Sequence, residues 1–173
     1  YAVEIFEDNT LPEITLKGSG TITIEEGYGF TDPGYTAFDF ESGNITSDVV
    51  VKGSVDDKLA GTYTLEYNVA DEAGNKASTV KRTIVVVADT TRPVLGLNGN
   101  EYDTIYVGDS YADVGAQAND ILDGDISGSI VLVSTLDSSK IGTYKLTYSA
   151  TDSRSNTGSI NRWVTVLDST APV

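Results

Sequence analysis

The stretch Gly61-Thr62-Tyr63-Thr64-Leu65-Glu66-Tyr67-Asn68-Val69-Ala70-Asp71 decides the fold, and it returns as Gly142-Thr143-Tyr144-Lys145-Leu146-Thr147-Tyr148-Ser149-Ala150-Thr151-Asp152. In the first copy Tyr63, Leu65, Tyr67 and Val69 take every second position, with Thr64, Glu66 and Asn68 between them. Side chains alternate across a strand, so one face is apolar and the other wet. That is the pattern of a half-buried antiparallel strand. The Gly-Thr-Tyr-x-Leu-x-Tyr start, preceded by Asp56 or Asp137, has the layout of a tyrosine corner. In that motif a Tyr near the start of the penultimate strand turns its hydroxyl back onto upstream backbone.

Working outward, the similarity extends well beyond this strand. Pro12 aligns with Pro93, and the same register holds without a gap as far as Asn75 and Asn156. Gly18/Gly99, Asp32/Asp113, Gly34/Gly115, Ala37/Ala118, Asp39/Asp120, Gly43/Gly124 and Asp71/Asp152 all coincide. About a third of the aligned positions are identical, which makes these two copies of one domain.

The punctuation occurs three times, as Asp8-Asn9-Thr10-Leu11-Pro12, Asp89-Thr90-Thr91-Arg92-Pro93 and Asp168-Ser169-Thr170-Ala171-Pro172. Proline fixes φ and removes a backbone donor, so it suits a short extended link between one domain's last strand and the next domain's first. The expected organisation is a domain over residues 12–90 and a second over 91–168. Residues 169–173 then lead to a following repeat, and residues 1–11 are a linker or the last strand of a preceding one. Because the motif stands at both ends, the chain looks cut from a longer array. Two readings of Tyr1 to Glu7 remain open: the end of a preceding repeat, or a strand donated to the sheet edge of another molecule.

Within each copy the strands read as Glu13 to Lys17 (Val94 to Leu97), then Thr21 to Glu25 (Thr104 to Val107), then a segment through Phe30 to Ala37 (Tyr111 to Ala118). Val49 to Val51 (Ile130 to Val133), the Tyr-rich strand and Ser78 to Val87 (Gly158 to Leu167) complete the set. About seven short strands with regular turn signals predict an all-β protein of two tandem immunoglobulin-like antiparallel β-sandwich domains.

Composition narrows the function. Among 173 residues there is no Cys, His or Met, which removes disulfides, thiol chemistry, the commonest general base and the commonest neutral metal ligand. The net charge of −15 repels phosphate backbones and anionic lipid, so neither nucleic acid nor a membrane surface is an expected partner. No apolar run approaches the ~18–20 residues of a membrane span. An enzyme is not expected either, since no nucleophile elbow, phosphate loop or zinc spacing is present.

These residues resemble a known family, the bacterial surface immunoglobulin-like repeats. Such repeats stand in tandem on secreted and cell-wall-attached proteins, internalin-type surface proteins and accessory regions of insecticidal crystal proteins among them. The resemblance rests on Asp-x-Thr-x-Pro, Tyr/Phe-x-Asp-x-Gly-x-x-Ala, Asp123-Gly124-Asp125-Ile126, Gly-Thr-Tyr-x-Leu-x-Tyr and Asp71-Glu72-Ala73-Gly74-Asn75. Two loops depart from the pattern. Copy one has Ser42-Gly43-Asn44 in place of Asp-Gly-Asp, and copy two has Ser155-Asn156 in place of Gly-Asn. The resemblance implies an extracellular, cell-surface module with neighbouring repeats in the same chain as its partners. Spacing and stiffening an adhesin stalk is the expected role. A module binding a glycan or a host surface protein is the main alternative, and a filament subunit completed by Tyr1 to Glu7 is the third.

Acidic loops carry the remaining chemistry. Asp120-Ile121-Leu122-Asp123-Gly124-Asp125 sets three carboxylates around a Gly turn, and Ca²⁺ takes six to eight oxygen ligands. An immunoglobulin-like fold puts this loop, the turn Asp152 to Asn156 and the incoming linker at one end of the domain. Asp89, Asp120, Asp123, Asp125, Asp152 and Asn156 are therefore the candidate Ca²⁺ ligands, in the manner of cation sites in cadherin-type arrays. In copy one, Asp8, Asp39, Asn44 and Asp71 are the counterparts with fewer carboxylates. The competing reading is plain turn chemistry, since Asp and Gly serve such loops without any metal. Tyr and Trp163 offer a sugar-stacking platform on paper, but alternation turns Tyr63, Tyr67, Tyr144 and Tyr148 toward the core.

Overall fold

The computed structural model describes residues 7–168, and the readings made for Tyr1 to Phe6 and for residues 169–173 lie outside them. The chain divides into two compact units, Tyr1–Ala88 and Asp89–Val173. In unit 1 the described strands are β1 (Glu13–Leu16), β2 (Thr21–Glu25), β3 (Tyr35–Asp39), β4 (Gly43–Asn44), β5 (Val50–Lys52), β6 (Gly61–Asn68) and β7 (Val80–Val87). Unit 2 repeats them as β8 (Val94–Leu97), β9 (Tyr102–Tyr106), β10 (Ala116–Asp120), β11 (Gly124–Asp125), β12 (Val131–Ser134), β13 (Gly142–Thr151) and β14 (Thr157–Leu167).

Each unit packs a three-stranded sheet on a four-stranded one: β1-β3-β4 on β2-β7-β6-β5, and β8-β10-β11 on β9-β14-β13-β12. The pairings are antiparallel with one exception per unit. β2 runs parallel to β7, from Thr21 opposite Thr83 to Glu25 opposite Val87. Likewise β9 runs parallel to β14, from Tyr102 opposite Trp163 to Tyr106 opposite Leu167. The first strand of the larger sheet is thereby clamped to the unit's last strand.

The alternation read from the sequence sets the cores. Leu65, Tyr67 and Val69 on β6 and its extension are buried with Ile84 and Val86 of β7, against Ile14 and Ala37 from the facing sheet. Leu146, Tyr148 and Val164 are their counterparts in unit 2. Burying side chains of this size stabilises by roughly 1.5–3 kcal/mol each. The tyrosine corners are closed as expected: the Tyr63 hydroxyl donates to the Leu59 carbonyl at 2.8 Å, and the Tyr144 hydroxyl to the Lys140 carbonyl at 2.9 Å.

One inward position breaks the apolar pattern. Arg82 and Arg162 are fully buried, in the same alternating row as Ile84 and Val164. Arg162 donates to Asp113 and to the Tyr148 hydroxyl through Nη1, to the carbonyls of Asn98 and Gly115 through Nη2, and to the Asn100 carbonyl through Nε. In unit 1 the Arg82 Nη2 reaches the carbonyls of Lys17 and Gly34 at 2.8 and 3.0 Å. Its Nε stands 3.4 Å from Asp32, while Nε and Nη1 lack hydrogen-bond partners. The Tyr/Phe-x-Asp-x-Gly motif supplies part of each knot: its Gly carbonyl accepts in both units, and its Asp accepts in unit 2 and stands as an ion-pair partner in unit 1.

Candidate functional site

The acidic residues meet as two triads, one in each unit. In unit 2 an oxygen of each of Asp89, Asp120 and Asp152 lies within 4.8 Å of the other two, and all three residues are buried. In unit 1 the same holds for Asp8, Asp39 and Asp71, of which Asp39 and Asp71 are buried and Asp8 is half-buried. Three separate loops supply each set: the Asp-x-Thr segment, the end of the third strand, and the turn before the last strand.

Backbone amides fix each carboxylate. Asp120 Oδ1 accepts from the amides of Leu122 and Asp123 at 2.8 and 3.0 Å, and Asp39 Oδ1 from those of Ser42 and Glu41 at 2.8 and 3.0 Å. These tight turns need a left-handed residue four positions after the aspartate, which Gly43 (φ 76°) and Gly124 (φ 72°) provide. Asp152 Oδ1 accepts from the amides of Arg154 and Asn156, both at 2.8 Å. Asp89 Oδ1 takes the Thr91 amide at 2.9 Å, and Asp8 Oδ1 the Thr10 amide at 2.8 Å. The spacing Asp-x-Thr is therefore an Asx turn that locks the linker carboxylate.

An asparagine ties the linker to the turn. Asn156 Nδ2 donates to the Asp89 carbonyl at 3.3 Å, and Asn75 Nδ2 to the Asp8 carbonyl at 3.0 Å. Burial pushes the Asp71 carboxyl up. Hydrogen bonds from the Asn75 side chain and from the amides of Asn75, Gly74 and Ala73 more than reverse this, leaving it below the usual carboxylate range. With one oxygen of each group engaged, the second is left over in three cases. Asp39 Oδ2, Asp120 Oδ2 and Asp152 Oδ2 are buried and accept no hydrogen bond.

Of the six residues named from the sequence, the structure brings together Asp89, Asp120 and Asp152, with Asn156 hydrogen-bonded beside them. Asp123 and Asp125 stand outside the triad, and both are exposed. Asp123 Oδ2 accepts from the Ser153 amide at 2.8 Å and so joins two loops. Asp125 is held by Ser127, whose hydroxyl at 2.6 Å and amide at 2.9 Å draw its carboxyl below the usual range. In copy one Asn44 takes that same position and accepts from the Thr46 amide at 3.0 Å. The Asp-Gly-Asp run thus shapes the loop and contributes no carboxylate to the cluster, so the Ser-Gly-Asn variant keeps the unit 1 triad intact.

The comparisons with known proteins agree with this duplicated architecture. The model for the bacterial surface protein Ig-like domain matches twice, over residues 14–86 and 95–166. Hyalin of Strongylocentrotus purpuratus is similar at 30% identity over 164 residues, 89% of this chain and 13% of hyalin. An uncharacterised 81.3 kDa protein of Acholeplasma phage L2 is similar at 28% identity over 150 residues, covering 82% of this chain and 20% of that protein. The chain therefore spans a fifth or less of the curated relatives it matches. A Clostridium perfringens ZmpB structure, comprising the M60 catalytic domain with CBM51-1 and CBM51-2, shares the fold at a TM-score of 0.58 and 14% identity. That likeness covers 91% of this chain and 31% of the ZmpB one. Two successive matches to one model, on two copies of one sandwich, place the chain in the family of bacterial surface protein Ig-like domains.

Proposed function

We propose that the chain is a load-bearing spacer of an extracellular bacterial surface protein, in which each Ig-like unit holds its length under tension without catalysing a reaction. The parallel pairing of β2 with β7, and of β9 with β14, carries this reading. In a parallel pair the start of one strand and the finish of the other lie at opposite ends. Force applied there runs along the strands and loads the hydrogen bonds between them together. Bonds at both margins frame the clamp in unit 1: the Thr83 amide to the Gly20 carbonyl at 2.9 Å, and the Glu26 amide to the Val87 carbonyl at 3.0 Å.

Family membership supports placement at the cell surface, with neighbouring repeats as partners, and the charge of −15 keeps such segments from adhering to one another. A glycan or host-protein module has less behind it. Tyr67 and Tyr148 are buried, and the hydroxyls of Tyr63 and Tyr144 are spent on the corners. Pulling the chain from its two ends in a single-molecule experiment tests the proposal. One force peak per unit is expected; extension without resolved peaks would refute it.

A further inference from the structure

We infer that each unit holds one Ca²⁺ ion on its own triad, Asp8, Asp39 and Asp71 in unit 1 and Asp89, Asp120 and Asp152 in unit 2. Clustered acidic groups alone would not carry this. The decisive feature is the set of carboxylate oxygens that are buried yet accept nothing: Asp39 Oδ2, Asp120 Oδ2 and Asp152 Oδ2. Their residues are 1%, 3% and 8% exposed. A buried carboxylate oxygen without a donor is costly, and like charges gathered in one place add to the cost. Asp39 Oδ2 belongs to unit 1 and the other two oxygens to unit 2, and a cation at the centre of each unit's own triad removes both penalties there.

The chemistry selects the ion. All the donors are oxygens, in a chain without His or Cys, which points to a hard cation. Opposite oxygens around Ca²⁺, at about 2.3–2.6 Å each, stand about 4.6–5.2 Å apart, so a set within 4.8 Å fits one ion. Mg²⁺ requires about 2.0–2.1 Å and keeps several waters, which a buried triad accommodates poorly. The positions are also locked in advance, since a backbone amide holds one oxygen of each carboxylate. Both copies share this geometry, so the stoichiometry is two ions per chain. The ion would fasten the linker aspartate, at the start of each unit, to two loops of that same unit.

The test is calorimetric titration of the whole chain with Ca²⁺, together with thermal melting in Ca²⁺ and in chelator. Asp39→Asn and Asp120→Asn keep the Oδ1 acceptor for the turn amides and remove the charge at Oδ2. Wild type is expected to bind two ions with dissociation constants in the range of about 10⁻⁴ to 10⁻³ M or tighter. Each single variant should bind one ion and the double variant none. In chelator the variants should melt no lower than wild type, because repulsion inside the triad is relieved. In Ca²⁺ they should lose the stabilisation that wild type gains. An absence of saturable binding at millimolar Ca²⁺ would overturn the inference, as would unchanged stoichiometry in the double variant. Neither result bears on the mechanical reading, which rests on the strand clamp.

Discussion

The Tyr148 hydroxyl donates to Asp113 Oδ1 at 2.6 Å, beneath an Arg162 guanidinium whose carbon lies 5.5 Å from the centre of the Tyr148 ring. This pair ties β13 to the loop that leads into β10 through polar groups at an inward-facing place of unit 2. Arg162 completes the arrangement by binding three carbonyls as well.

Removing the arginine should therefore cost more than an ordinary core truncation. Arg162→Met takes the cationic partner from Asp113 and a donor from each of three carbonyls, and the expected loss is about 3–5 kcal/mol. Arg82→Met should cost less, because Arg82 has two guanidinium nitrogens without hydrogen-bond partners. Urea denaturation checks this, with fluorescence of Trp163, the chain's one Trp, reporting on unit 2. Equal losses in the two units would show that the extra hydrogen bonds of Arg162 contribute nothing.

Ser155 is the one described non-glycine residue with positive φ, at 73°, and its counterpart Gly74 has φ 91°. A left-handed conformation costs an L-residue roughly 1–2 kcal/mol, part of which glycine gives back through its freer unfolded chain. Ser155→Gly is expected to stabilise unit 2 by about 0.5–1 kcal/mol, a rise of a few degrees in melting temperature. Gly74→Ser should lower unit 1 by a similar amount. Measured in chelator, a fall on Ser155→Gly would contradict the account.

Alkaline pH should loosen both units. Burial, and then the hydrogen bond to Asp32, push the Tyr67 hydroxyl up to about 12. Burial and the bond to Asp103 do the same for Tyr111, again to about 12, against the opposing charge of Arg162. A tyrosine that holds its proton more tightly when folded contributes stability fully present below its ordinary value of 10.0, and that stability is lost as pH rises through about 12. Denaturation midpoints should be flat up to about pH 9.5 and fall over the next two units. Tyr67→Phe should flatten the decline in unit 1, and an unchanged slope would count against the assignment.

Much of this was legible in the residues. The duplication, the Tyr-rich strand and its corner followed from period-two alternation and a repeated Gly-Thr-Tyr. Asp89, Asp120 and Asp152 stood out because aspartates recurred at matched places in loops that a sandwich gathers at one end. Asp123 and Asp125 misled, since the composition of Asp-Gly-Asp cannot show that Ser127 and the Ser153 amide claim those side chains. Arg82 and Arg162 drew no reading from the sequence. Strand parity with Ile84 and Val164 was the signal, but register slips by one residue between Asn156 and Arg162, which hid their equivalence. The parallel clamp lay beyond reach, because pairing between β2 and β7 joins residues some sixty positions apart and leaves no local trace.

The most direct test of the account compares two directions of pull on the β2–β7 pair. The chain has no Cys of its own, so attachment points can be placed at will. Ser19→Cys with Ala88→Cys grips the pair at opposite ends and loads it along the strands. Ser19→Cys with Ser78→Cys grips it at one end, so the bonds open in turn. The account predicts a severalfold higher unfolding force for the first pair than for the second; equal forces would contradict it.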